Sequence, residues 1–446
     1  MKIESWLSAT AAALPDQLAL VAGDESLTYA DLDRGARSAA RRLASMGVER
    51  GDRVALLFGH SAEYVVILHA LMKLGAVAVP LDRRLAEGEL DELLGALEPR
   101  LVLREPGEST EAAEATDVVL DEEIDLDAIN CVIHTSGSGG RPKPVELTYG
   151  NQLWNAIGSG VRIGVAPTDR WLCCLPLHHI GGFAIVIRSA LYRTGIVLEP
   201  FDPGAVASTI ASEPVTVISV VPTMLARLLD EGAELDRLRC LVLGGGPCPQ
   251  PLIERALEAG VPLSPTYGLT EACSQVATMA PGETRLKPGS AGPPILTTEV
   301  RIDDADGTIL VRGPSVAPGT EGPDGWLRTN DLGRLDDEGY LYVLGRADEV
   351  IVSGGENISP EEVERVLLEH PAVADAGVTA EEHPEWQQTV VAHVVLRDGA
   401  DVTVAQLQGF CRERLAGFKA PKEIEFVAEL PRNAQGKLLR RSLRDA

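Results

Sequence analysis

Ile133-His134-Thr135-Ser136-Gly137-Ser138-Gly139-Gly140-Arg141-Pro142-Lys143 is the stretch that decides the architecture. The apolar residues 129–133 predict a strand leading into it, and Pro144-Val145-Glu146-Leu147 predicts a second strand leaving it. The polar residues between them then form a flexible loop at the tip of a hairpin. Glycines let the backbone turn its N–H groups inward, and hydroxyls and cations add donors, so the loop suits a polyphosphate. It is not a Walker A loop, because no Gly-Lys-Ser/Thr opens a helix. Taken alone, the same residues read equally well as a disordered Gly/Ser surface turn. Three later stretches favour the phosphate reading.

Outward from the loop, residues 1–128 alternate strand-like and helical patterns: a helix opening at 27–32, a strand at 53–58, a helix at 61–74 and a strand at 75–80. Such alternation predicts α/β layers with substantial parallel sheet. Residues 103–127 form an acidic, weakly patterned connection. Downstream, 151–160 reads as a helix and 171–176 as a strand stopping at His178-His179-Ile180-Gly181-Gly182, with a helix over 183–192. Buried strands follow at 215–220 and 238–243. Each ends in Pro or Gly, which puts loops at one sheet edge, where open α/β sheets bind ligands.

From about residue 299 to 345 the pattern is β-rich, and beyond 346 lies a separate unit. There Ser359-Pro360-Glu361-Glu362 reads as a capping box for a helix over 361–370. Strands at 373–378, 389–396 and 424–428 and a helix near 403–415 complete it. The expected fold class is α/β. A large N-terminal domain, 1–345, carries αβ-layered sheets plus a small β-barrel-like part, and a small mobile α+β domain, 346–446, follows.

The formal net charge of −26 over 446 residues argues against nucleic acid or an anionic membrane as a general partner. An anionic substrate must then be gathered by local donors. Seven cysteines (131, 173, 174, 240, 248, 273, 411) show no Cys-x-x-Cys pairing and sit mostly in apolar surroundings, as buried cytosolic thiols do. A disulfide framework, a zinc site, a signal peptide and a membrane span are all unexpected, and the expected location is cytoplasmic.

Three stretches carry chemistry. Leu243-Gly244-Gly245-Gly246-Pro247 follows a strand, and bare backbone there allows a flat ring to lie against it; a tight packing turn is the other reading. Thr266-Tyr267-Gly268-Leu269-Thr270-Glu271 offers an aromatic face to stack a base, a hydroxyl to donate to phosphate, and a carboxylate to hold Mg²⁺ through oxygen. Trp326-Leu327-Arg328-Thr329-Asn330-Asp331-Leu332-Gly333 places Asp331 at the end of a polar turn, where its carboxylate could accept both hydroxyls of a ribose; an ordinary Asn-Asp turn is the alternative.

These pieces, in this order, resemble the adenylate-forming superfamily of acyl-CoA synthetases, nonribosomal adenylation domains and luciferases. The resemblance covers nearly the whole chain and includes Gly345-Arg346-Ala347-Asp348, Ser353-Gly354-Gly355-Glu356-Asn357-Ile358 and Pro431-Arg432-Asn433-Ala434-Gln435-Gly436-Lys437. Within the superfamily the chain most resembles the o-succinylbenzoate–CoA ligases of menaquinone biosynthesis. Thr148-Tyr149-Gly150-Asn151 with Trp154, Trp171-Leu172 with Leu175-Pro176, His179-Ile180, Ile187-Arg188-Ser189 and Tyr267 through Gln275 carry that likeness. Departures are Ser138-Gly139 for two threonines, Arg141 for lysine, His178 for phenylalanine, Gly181 for serine and Asn330 for glycine. Those beside His179 bear on the acyl substrate.

The resemblance implies an AMP-forming acid–thiol ligase using ATP, Mg²⁺ and coenzyme A. The substrate carboxylate attacks the α-phosphate, pyrophosphate leaves, and CoA thiol then displaces AMP. Charge builds on the α-phosphate oxygens, so fixed cations and a metal are the main requirement. Lysines are scarce (2, 73, 143, 287, 419, 422, 437), and Lys437 is the expected cation, with Thr270, Glu271 and His179 as catalytic partners and Glu271 at the metal. The nucleotide would meet Thr135, Ser136, Gly137, Ser138, Gly139, Gly140, Lys143, Gly244, Gly245, Gly246, Pro247, Tyr267, Gly268, Asp331 and Arg346. Asp348 matches the hinge, and Gly354 and Gly355 would flank the pantetheine arm. His179 could gate the acyl pocket or be a buried structural histidine. Arg188, the lone charge in its apolar helix, needs an anion, either a second substrate carboxylate or a protein Asp or Glu. Another aromatic or fatty acyl-CoA synthetase, or a non-catalytic nucleotide-binding regulator, are the competing functions. A homodimer is the candidate assembly.

Overall fold

The computed structural model describes residues 1–105, 107, 118–136, 142–353, 356–383, 386–432 and 438–444. Local chemistry sets most element boundaries. Thr28 and Asp31 form a reciprocal capping box at the start of the helix Tyr29–Ser45, whose buried face is Leu32, Ala36, Ala39, Ala40 and Leu43. The helix Ala62–Leu74 begins on the Ser61 side chain and stops at Gly75, whose φ of 63° is left-handed. It is buried on nearly every side, as is the helix Ile180–Tyr192, because both lie within a core that draws residues from two large sheets.

The larger sheet has eight strands in the spatial order Ser274–Thr278, Leu263–Leu269, Cys240–Leu243, Val217–Val220, Arg170–Cys173, Gly195–Leu198, Leu18–Ala22, Glu25–Thr28. Its inner pairs are parallel and its two edge pairs antiparallel. Parallel strands end on one side, so the segments after Cys173, Val220 and Leu243 share an edge, as expected. The second sheet has five strands ending in the antiparallel hairpin Ile129–Ser136 and Pro142–Thr148, which is the expected hairpin of the glycine loop. The β-rich stretch becomes a four-stranded antiparallel sheet, Glu299–Ile302, Thr308–Arg312, Leu327–Leu335 and Leu341–Arg346. From Ile351 onward the chain builds its own five-stranded sheet and its own apolar core.

Two local expectations are corrected. The segment holding Asp331 is not a turn but the interior of the strand Leu327–Leu335, because Asp331 pairs with Arg346 in the neighbouring strand. Nor does the expected capping box at Ser359 form, although the helix Pro360–Leu368 does. Both side chains are drawn elsewhere. The Ser359 hydroxyl lies 2.7 Å from the Leu344 carbonyl, and the Glu362 carboxylate accepts from Lys419 Nζ at 2.7 and 2.8 Å.

Candidate active site

The strand Cys240–Leu243 runs into the glycine turn, and the three glycines answer different needs. A Cβ on Gly244 would lie 2.7 Å from Thr266 Cγ2; Gly245 has φ +81° and would put a Cβ 2.9 Å from Val221 Cγ1. Packing therefore explains those two. Gly246 has nothing within 4 Å of its would-be Cβ, so its bare backbone faces open space, as a flat ligand requires.

Next in the sheet, the strand Leu263–Leu269 breaks register between Tyr267 and Gly268, where a Cβ would lie 1.8 Å from the Ser274 carbonyl oxygen. That bulge permits the reversal through the 3-10 turn Thr270–Ala272. Tyr267 sits in an apolar cluster with Ile309, Val311 and Leu341, is 9% exposed, and donates its hydroxyl to Asp331 Oδ2 at 2.7 Å. Burial, with the Asp331 carboxylate beside it, holds this phenol well above its usual range, so it remains a donor. Arg346 Nη1 donates to the other oxygen, Oδ1, at 3.1 Å, and its Nε lies 3.3 Å from Asp348 Oδ1. Each Asp331 oxygen keeps a second lone pair for a ligand hydroxyl. The chain Tyr267–Asp331–Arg346–Asp348 thus joins the glycine-lined edge to the expected hinge.

Thr270 and Glu271 are half-buried, and their side chains make no hydrogen bond or ion pair among the described residues. A carboxylate with uncommitted oxygens is chemically suited to a hard divalent cation. Two residues to which the sequence reading gave no role in the site, Asn151 and Asn155, hold this turn in place. Asn155 Nδ2 donates to the carbonyls of Ala272 at 3.2 Å and Gln275 at 2.8 Å. Asn151 Nδ2 donates to Pro314 and Val316, both at 2.9 Å, and the Ala317 amide donates to the Glu271 carbonyl at 2.7 Å. Two asparagines four apart on the buried face of a helix were the available signal, since a buried amide needs partners.

His179 occupies the N-cap position of the helix Ile180–Tyr192 without a side-chain cap bond, and its ring lies 4.2 Å from that of His178. Burial, then the neighbouring His178, pushes His179 down to about 4, so it is neutral at pH 7. His178 Nε2 lies 3.5 Å from Asp82 Oδ2. Burial opposes ionisation of Asp82, but bonds from Arg84 hold it down to about 2. Arg188 is 4% exposed, donates to Asn155 Oδ1 at 2.7 Å and lies 5.7 Å from the Trp171 ring centre. No protein carboxylate pairs with it among the described residues, so the Asp or Glu partner that the sequence made an option is not there.

Thr135 faces Lys143 across the hairpin, and Lys143 is exposed. The hairpin's second strand adjoins the turn Thr270–Ala272. Ser136 pairs with Pro142 through the backbone. Gly137, Ser138, Gly139, Gly140, Gly354, Gly355 and Lys437 lie outside the described residues. Among the described residues no cluster of three or more His, Cys, Asp or Glu is arranged for a metal, and no helix is long and apolar enough to cross a membrane. Six of the seven cysteines are buried, as expected.

The model of the AMP-binding enzyme family matches residues 7–320, and that of the AMP-binding enzyme C-terminal domain matches residues 362–437. A 2-succinylbenzoate–CoA ligase of Geobacillus kaustophilus is 42% identical over 99% of this chain and 97% of its own length. Among solved structures, o-succinylbenzoate CoA synthetase of Bacillus subtilis in complex with its acyl-adenylate intermediate superposes with TM-score 0.93 at 37% identity, covering 100% of this chain and 99% of that one. A double mutant of the same synthetase bound to a product analogue superposes with TM-score 0.75 at 38% identity over the same shares, 100% and 99%.

Proposed function

Since the chain belongs to the AMP-binding enzyme family, we propose that it is an AMP-forming ligase that joins 2-succinylbenzoate to coenzyme A. A substrate carboxylate oxygen attacks the α-phosphorus of ATP, the bond to the β-phosphate oxygen breaks, and pyrophosphate leaves. The CoA sulfur then attacks the acyl carbon and the bond to AMP breaks.

The residues divide the work by their chemistry. Asp331, aimed by Tyr267 and Arg346, accepts the ribose hydroxyls, and the open backbone at Gly246, with the exposed Pro247 after it, receives the base. Thr270 and the hairpin donors Thr135, Ser136 and Lys143, with the loop 137–140, serve the phosphates. Glu271 would hold Mg²⁺, which neutralises phosphate charge when bound. Neutral His179 adds no charge where the carboxylate approaches. Lys437 supplies the cation at the α-phosphate from a lid, residues 346–446, that hinges at Asp348 on a large domain, 1–345. Gly354 and Gly355 leave room for the pantetheine arm. The use of ATP and CoA supports a cytoplasmic location, and a homodimer is the assembly to test.

The observation that carries the dicarboxylate substrate is Arg188, a buried guanidinium that donates to an amide and lies beside an aromatic ring, with no carboxylate paired to it among the described residues. A substrate with a second carboxylate would supply the missing charge. A coupled assay with ATP, CoA and a panel of acids tests this reading. We expect pyrophosphate release with 2-succinylbenzoate. Release with simple benzoates or fatty acids alone would refute the assigned substrate, and release with none would refute the ligase. Lys437→Ala should abolish adenylate formation yet still let a supplied acyl-adenylate react with CoA; equal loss of both steps would contradict the lid.

A further inference from the structure

Gly345 lies near the end of the strand Leu341–Arg346, three residues before Asp348. Its φ is +142°, and a Cβ built there would stand 2.4 Å from Glu361 Oε2 and 2.7 Å from Ser359 Oγ. The glycine therefore lets the start of the helix Pro360–Leu368 press directly against the strand. Across that contact the Ser359 hydroxyl lies 2.7 Å from the Leu344 carbonyl oxygen and 2.9 Å from Glu361 Oε2. With one hydrogen and two acceptors, it bridges the strand and the helix rather than capping the helix.

Glu361 is bound from its other side as well. Arg440 Nη2 lies 3.3 Å from Glu361 Oε1 and 2.8 Å from Glu364 Oε2, and the same guanidinium pairs with Glu349, the last residue of the 3-10 turn Ala347–Glu349. Arg440 stands three positions after Lys437 in the chain. The backbone on either side of residues 433–437 is closed by a bridge between Arg432 and Leu438 and by the Leu439 amide donating to the Pro431 carbonyl at 2.9 Å. One connected set of contacts thus runs from Leu344 through Ser359, Glu361 and Arg440 to the base of the segment that contains Lys437. The whole chain superposes on the acyl-adenylate complex at TM-score 0.93 and on the product-analogue complex at 0.75.

We propose that Gly345, Ser359 and Glu361 form a latch across the hinge that holds the C-terminal residues in the adenylate-forming arrangement, with Arg440 tying the lysine-bearing segment to it. The assignment to adenylate formation rests on the ligase reading; the latch itself rests on the fold. These are positioning residues, acting through the segment that contains Lys437.

The test uses the full-length protein without ligand, with dyes on Val161→Cys and Phe426→Cys, which replace residues 67% and 44% exposed. Energy transfer between them reports the distance across the hinge. Ser359→Ala should enlarge a second distance population by roughly fivefold, the effect of one hydrogen bond. Gly345→Ala should enlarge it further, because its methyl group must displace Ser359 and Glu361. In both variants pyrophosphate release should slow in proportion to the share that the first population loses, while thioester formation from supplied acyl-adenylate keeps its rate. An unchanged distance distribution in both variants overturns the latch, and so does equal slowing of the two half-reactions. If no acid in the panel makes the parent protein release pyrophosphate, the ligase reading fails, while the energy-transfer result still decides the latch.

Discussion

The carboxylate of Asp331 is held from two sides, by the Tyr267 hydroxyl at 2.7 Å and by the Arg346 guanidinium at 3.1 Å, so its direction is set before a ligand arrives. Tyr267→Phe removes one of those donors without changing the ring's packing. We expect the KM for ATP to rise about fivefold with kcat nearly constant, measured by steady-state kinetics. A fall in kcat alone would mean that the hydroxyl acts later, on the reacting phosphate. Arg188 is a different kind of residue, a cation whose countercharge is missing from the described protein. Arg188→Met should lower kcat/KM for 2-succinylbenzoate by a factor on the order of 10² relative to a monocarboxylate analogue. Equal losses for the two acids would assign Arg188 to holding Asn155 instead.

Two helix starts with the same residue pattern behave differently at the scale of the element. Thr28 and Asp31 cap each other because Arg34, the other partner of Asp31, takes Oδ1 and leaves Oδ2 to Thr28. Ser359 and Glu362 are separated by stronger offers, a strand carbonyl for one and a lysine for the other. Thr28→Ala should cost about 1 kcal/mol in urea unfolding, the usual value of an N-cap. The helix Tyr149–Ile163 acts as a scaffold through Asn151 and Asn155, which hold backbone on both sides of Glu271. Asn155→Ala leaves two buried carbonyls and a guanidinium without that amide. Its expected cost is roughly 2–3 kcal/mol, with a raised Mg²⁺ requirement as the readout that separates a displaced Glu271 from general loosening. Unaltered Mg²⁺ dependence would leave Asn155 a purely structural role.

For the whole molecule, burial depresses five of the eight histidines: His60, His69, His134, His178 and His179, three of them to about 4. Their ordinary value is 6.5, so between pH 6.5 and 4 the unfolded chain binds more protons than the folded one. Stability is therefore lost as pH falls through that window. Glu364 works in the opposite sense. Burial lifts it to about 7 despite Arg440, so its protonated form favours the fold below that value and its contribution is lost as pH rises. Five groups outweigh one. The urea midpoint should drop steadily from pH 6.5 to 4, and a flat profile would show that these imidazoles are hydrated in the native state.

Order and spacing of short runs sufficed to give the α/β class, the hairpin beneath the glycine loop and the family likeness, because strands, turns and glycine-dependent approaches are specified by neighbouring residues. Gly246 could be read that way, and so could the buried run around Arg188. What local sequence could not rank was competition between distant partners. The Tyr267 hydroxyl finds Asp331 sixty-four positions away, Arg188 finds an amide in place of an acid, and Ser359 leaves its own helix for Leu344. Each outcome depends on which groups the packed sheets bring within 3 Å, and that proximity exists only once the chain has folded.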